Sequence, residues 1–119
     1  MDSLVKTGIN CIIDKNVEIG HNVVLGHNVI VESGVSIGSN TYIDSNTIIR
    51  SGTNIGENSF VGSNCIIGEY WMDFCMDRKV HVHPLSIGEN ALIRSGSIIY
   101  AGSEIGTDFQ TGHQVTIRE

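Results

Sequence analysis

Among the five histidines of this 119-residue chain, His113 stands in the most irregular surroundings, the run Asp108-Phe109-Gln110-Thr111-Gly112-His113. A neutral imidazole titrates near neutrality and can take a proton from an amine or hydroxyl as that group attacks an electrophile. Gly112 beside it marks a corner whose backbone N–H could stabilise an oxyanion. His81 and His83 flank Val82, a spacing that points both rings the same way if the segment is extended. Such a pair could bind a metal, but no Cys or carboxylate stands at obvious ligand spacing beside it, so no metal is required. Cys11, Cys65 and Cys75 make no disulfide framework, which together with the absence of a signal-peptide pattern leads to the expectation of a cytoplasmic protein.

These residues are positioned by a repeat. From Ile13 to Gly68 the sequence runs IDKNVE, IGHNVV, LGHNVI, VESGVS, IGSNTY, IDSNTI, IRSGTN, IGENSF, VGSNCI, IG, a six-residue period. If the aliphatic residue of each unit is position one, position five is small or β-branched, and positions five, six and one form a short strand with five and one facing inward. Position two is mostly Gly and position four is Asn or Gly, residues that tolerate the positive φ of a tight corner. Three strands and three corners, about eighteen residues, make one coil of a triangular parallel β-helix with coils stacked about 4.8 Å apart. His21 and His27 fall at position three, where exposure and polar residues are expected. Met1–Lys6 read as a lead-in to the first coil.

Position six points outward and sorts by prism face. One face carries Val24, Tyr42 and Phe60, a second Ile12, Ile30, Ile48 and Ile66, and the third Glu18, Ser36 and Asn54. Two apolar outer faces on one chain demand a partner surface, so self-association through them is expected. A net charge of −6 with seven Lys and Arg argues against nucleic acid or an anionic membrane as the main partner, and no apolar run is long enough to span a bilayer.

The repeat breaks once. After Ile67 the next good unit begins at Ile87. The face pattern returns to phase if residues 68–84, GEYWMDFCMDRKVHVHP, are one corner enlarged by fourteen residues. Ser86 and Glu104 then continue the polar column, Leu92 the aromatic one, and Ile98 the Ile column. The loop holds the only Trp and the only Pro, side chains a coil corner does not need, and long insertions of this kind commonly bind. At the far end the rules fail together. Thr111 replaces the aliphatic of position one, Phe109 fills the small position, and Gln110 interrupts an apolar column. Such breaks concentrate at functional sites.

The repeat resembles that of the hexapeptide-repeat acyltransferases, and IGTDFQTGHQVTIRE closely resembles a segment of those members that acylate sugars, especially nucleotide-linked amino sugars. Thr111, Gly112 and His113 match its TGH; Ile117, Arg118 and Glu119 match its IRE; and the units containing Arg94 and Tyr100 match the flanking coils. The resemblance implies a left-handed β-helix over the single domain 1–119, a closed homotrimer, acetyl-CoA as acyl donor, and acyl transfer at clefts between subunits. It also implies that the inserted loop, with Trp71 and His83, helps to shape the cleft. His113 is then the expected base, Asp108 or Glu119 its partner, and Gln110, Thr111, Gly112, Arg118, Arg94 and Tyr100 substrate contacts. Family members carry further coils beyond this segment, so a donor site truncated at Glu119 is a further expectation. Two other classes are compatible: a zinc hydro-lyase like the γ-carbonic anhydrases, which needs His81 or His83 to meet His113, and a non-catalytic β-helical scaffold.

Overall fold

Strands of two to four residues, too short to be stable alone, gain stability here by stacking in parallel on three sheets. The computed structural model describes residues 4–79 and 83–118. The sheets form a parallel β-helix, consistent with the left-handed class. The aromatic face runs from Val5–Thr7 through Val23–Leu25, Tyr42–Ile43 and Phe60–Val61 to Leu92–Ile93, and a single bridge from Leu92 to Gln110 extends it. The isoleucine face has six strands, from Ile12–Ile13 to Thr116–Ile117, and pairs Ile12, Ile30, Ile48, Ile66, Ile98 and Thr116 side by side. The polar face aligns Glu18, Ser36, Asn54, Ser86 and Glu104.

The pairing crosses the insertion without a lost coil. Residues eighteen apart are neighbours in the regular coils, as His21 and Ser39 are, whereas Ser59 meets Ala91, thirty-two residues on. Phe60 accordingly pairs with Leu92 and Ile66 with Ile98. The excursion leaves the coil later than the sequence pattern suggests. The strand Ile66–Glu69 persists past a bulge to set Glu69 opposite Tyr100, and a short helix, Met72–Met76, follows.

Inside the prism, the position-one column is fully enclosed through Val31, Ile49, Ile67 and Ile99. Position five adds a polar device. Thr41 Oγ1 donates to the carbonyl of Gly56 and accepts the N–H of Ser59, and Thr47 Oγ1 does the same with Gly62 and Cys65. These two hydroxyls thus stitch one coil to the next and are themselves satisfied, whereas Thr53 Oγ1, buried at the same repeat position, has no partner among the described residues. Burial pushes the Cys65 thiol above its ordinary pKa. Phe109 is accommodated at the small position because the residue stacked over it is Ala91, and its ring packs against the end of the core.

The corners divide the work that the sequence pattern assigned jointly to Gly and Asn. Position four takes positive φ, for example Asn40 at 62° and Gly34 at 79°. Most position-two glycines do not, and their reason is contact. A Cβ on Gly38 would lie 2.6 Å from the backbone nitrogen of Glu57 in the next coil. Positive φ at position two is therefore corrected to close coil-to-coil approach; Gly68, at φ 91° where the chain departs, is the exception.

Candidate functional site

The corner between the aromatic and isoleucine faces stacks His27, Ser45, Ser63, Ser95 and His113 at position three. Ser residues in this column act as caps: the N–H of His27 donates to Ser45 Oγ at 2.9 Å. His27 itself takes that role, its Nδ1 accepting the N–H of Ile9 at 2.8 Å. His113 is held differently. Its Nδ1 lies 2.9 Å from Ser95 Oγ and its Nε2 lies 3.0 Å from Arg94 Nη2. A guanidinium has only N–H donors, so Nε2 accepts from Arg94, and a neutral His113 carries its proton on Nδ1 and donates it to Ser95. Thr111 Oγ1 accepts the backbone N–H of Arg94 at 3.0 Å and donates to the carbonyl of Gly112 at 2.9 Å. The ring is exposed but fixed at both nitrogens.

The residues expected to form one site are spread over three edges of the prism. His113, Arg94, Thr111 and Gly112 share the edge just described. Asp108 is at the corner between the polar and aromatic faces, in positive φ, where its Oδ1 accepts from Asn90 Nδ2 at 3.2 Å. This repeats the Asn22–Asn40 contact of earlier coils, so the expectation that Asp108 partners His113 is corrected: it closes an amide ladder. Gln110 sits on the outer aromatic face beside Leu92. Glu119, the other proposed partner, lies outside the described residues. Tyr100 and Arg118 occupy the third edge, with the guanidinium 4.9 Å over the ring centroid.

Ser95 lies in the stretch Ile93-Arg94-Ser95-Gly96 that matches a flanking coil, but the motif gives no contact between it and His113. Adding the fourteen-residue insertion to the eighteen-residue coil shows that the column His27, Ser45, Ser63 continues to Ser95 and then His113.

The inserted loop is fastened to the third edge, between the isoleucine and polar faces. Arg50 pairs with Glu32 at 3.0 Å, lies 3.8 Å from Glu69, and spreads over the Tyr70 ring at 4.3 Å. Tyr70 stacks on Phe74, and Trp71 stacks on His83 with centroids 4.2 Å apart. Trp71 Nε1 donates to the carbonyl of Ala101 at 2.8 Å, and the pair borders an open cleft of about 460 Å³ that reaches Ser86 and Glu104. The indole rests on Gly102, whose φ is 87° and whose added Cβ would stand 2.6 Å from Trp71 Cζ2. Gly102→Ala is expected to cost about 1 kcal/mol or more and to red-shift the emission of the protein's single Trp. Unchanged fluorescence would show that the indole does not rest on this corner.

Trp71 and His83 therefore do not meet His113 within one chain: the isoleucine face lies between them. The described residues contain no cluster of three or more His, Cys, Asp and Glu side chains, and His81 lies outside them. Among the described residues no helix is long and apolar enough to cross a membrane.

Comparison with known proteins agrees with the repeat. The family model described as bacterial transferase hexapeptide (six repeats) matches residues 34–69, and that of the hexapeptide repeat of succinyl-transferase matches residues 16–51. Both matches fall on the regular coils and stop short of His113. No curated protein matches the chain. Among solved structures it is similar to Arabidopsis UDP-N-acetylglucosamine acyltransferase, at 17% identity and a TM-score of 0.44, over 92% of this chain and 46% of that one. The chain thus spans less than half the length of that solved protein. Its sequence period, its three stacked sheets and the two repeat matches make this chain a hexapeptide-repeat β-helix, with the repeat found in the bacterial hexapeptide transferases.

Proposed function

We propose that the chain is a CoA-dependent acyltransferase, moving an acetyl group to an amine or hydroxyl of a sugar or sugar nucleotide, with His113 as the base. The observation that carries this reading is the position of His113 on the one edge flanked by both apolar outer faces. Tyr42 and Phe60, stacked at 5.3 Å, remain 40% and 38% exposed on one side, and the isoleucine column runs along the other. A cyclic assembly that covers these two faces sets the His113 edge at a subunit boundary, where a cleft can form. Family resemblance supports a trimer and the acetyl donor.

In the reaction, the thioester supplies an activated acyl carbon. His113 Nε2 removes the proton from the attacking amine or hydroxyl while Nδ1–H stays anchored on Ser95 Oγ, which keeps the lone pair aimed. The acceptor forms the new bond to the acyl carbon, the C–S bond breaks, and the proton passes on to the leaving thiolate. The scaffold class makes the opposite forecast for donor binding. Calorimetric titration of the 119-residue chain with acetyl-CoA is expected to show saturable binding near one site per chain. Absence of binding would favour the scaffold reading, or place the donor cleft beyond these residues.

A further inference from the structure

Three arginines of this chain, Arg50, Arg94 and Arg118, occupy the same repeat position, position two, and the first two are handled in opposite ways. Arg50 is half-buried and neutralised, held by the carboxylates of Glu32 and Glu69. Arg94 is exposed, and among the described residues no carboxylate lies within ion-pair distance of it. Its side chain donates instead to the Nε2 lone pair of His113, the atom that must be free if this imidazole is to accept a proton. Its column offers a contrast, since the position-two residues of the other coils along the same edge are all short, Gly8, Gly26, Asp44, Gly62 and Gly112. A long cation here is not demanded by the packing of the corner. The groups that face the His113 ring are then Arg94 and Ser95, with Thr111 holding the Arg94 backbone from below.

From this arrangement we infer that Arg94 is an anion-responsive cover on the base: it occupies the His113 lone pair in the free protein and releases it when a phosphate group of a substrate takes the guanidinium. A guanidinium bonds a phosphate oxygen more strongly than a neutral ring nitrogen, because the acceptor is charged and two parallel N–H···O bonds can form. The swing costs little, since Arg94 is exposed and has no ion pair among the described residues to break. Binding of a phosphate-bearing substrate and uncovering of the base become one event, so the base is not free before the substrate arrives. The inference rests on the acyltransferase reading for its purpose, but its geometry can be tested without any turnover.

The test is long-range 1H–15N NMR of the His113 ring in the full chain, titrated with inorganic pyrophosphate, and in parallel with CoA and with UDP. The free protein is expected to show a proton on Nδ1 and a hydrogen-bonded, unprotonated Nε2. Pyrophosphate should move the Nε2 signal downfield saturably as its hydrogen bond is lost. Arg94→Ala should show the downfield position with no ligand and no further response, and Arg94→Lys an intermediate one. A response to CoA assigns the phosphate to the donor, and a response to UDP assigns it to the acceptor.

A free protein with its proton on Nε2 overturns the inference, as does no response to any of the three probes or an equal response in Arg94→Ala. If the anion response is present but acyl transfer is absent, the acyltransferase reading fails while the cover stands. If acyl transfer is present without the anion response, only the cover fails.

Discussion

His113→Gln is expected to lower acyl transfer by about 100- to 10,000-fold, the usual contribution of a positioned general base, with little change in thermal unfolding. Gln can still reach Ser95 Oγ with its amide but has no nitrogen lone pair that accepts a proton at neutral pH. His27→Ala is the matched control. It stands at the same repeat position on the same edge, and its Nδ1 accepts the N–H of Ile9. Loss of that cap should loosen the first coil and leave the rate unchanged, since nothing near His27 corresponds to Arg94. Steady-state rates and melting curves on the three proteins decide the matter. Equal rates for parent and His113→Gln would sink the base assignment and leave His113 as a second corner cap, which its shared column with His27 makes the natural alternative.

Much of this architecture was legible because a period of six leaves so little freedom. Once Ile13, Ile19 and Leu25 are in phase, every outward residue is assigned to a face, and the return of phase at Ile87 places the whole insertion in one corner. Phe60 beside Leu92 is the observation that bears this out. The site was less legible, for a physical reason. A motif such as TGH lists neighbours along the chain, whereas in a β-helix the neighbours that touch lie one coil away. Asp108, five residues from His113, turned out to be around a corner and bonded to Asn90. Ser95 and Arg94, in the coil before, make the contacts. The role of the position-two glycines was misjudged for the same reason: backbone of the adjacent coil fills the space where a Cβ would go, and no single strand of sequence displays it. Arg50 illustrates the remainder, since its partners Glu32 and Glu69 come from the coils on either side of it at the same corner.

The second large effect expected is on stability, and it depends on place in the stack more than on residue type. Ile13 and Ile49 occupy the same position on the same face, two coils apart, with Val31 paired between them. Ile49 is 0% exposed and Ile13 is 41% exposed. Ile49→Ala removes buried methyl and methylene groups between Val31 and Ile67, where coils above and below hold the walls apart, and should cost about 2–5 kcal/mol. Ile13→Ala removes the same atoms from a side chain that water already reaches, and should cost under about 1 kcal/mol. Because each coil touches only its neighbours, a hole in the middle also weakens the coupling between the two halves of the stack, so Ile49→Ala should broaden the unfolding transition as well as shift it. Urea unfolding at one fixed protomer concentration measures both quantities, the fixed concentration being needed because association adds to apparent stability. Equal losses for the two substitutions would mean that the first coil is covered in solution, by another subunit or by further chain, and that the exposure of Ile13 seen here belongs to the isolated coil stack alone.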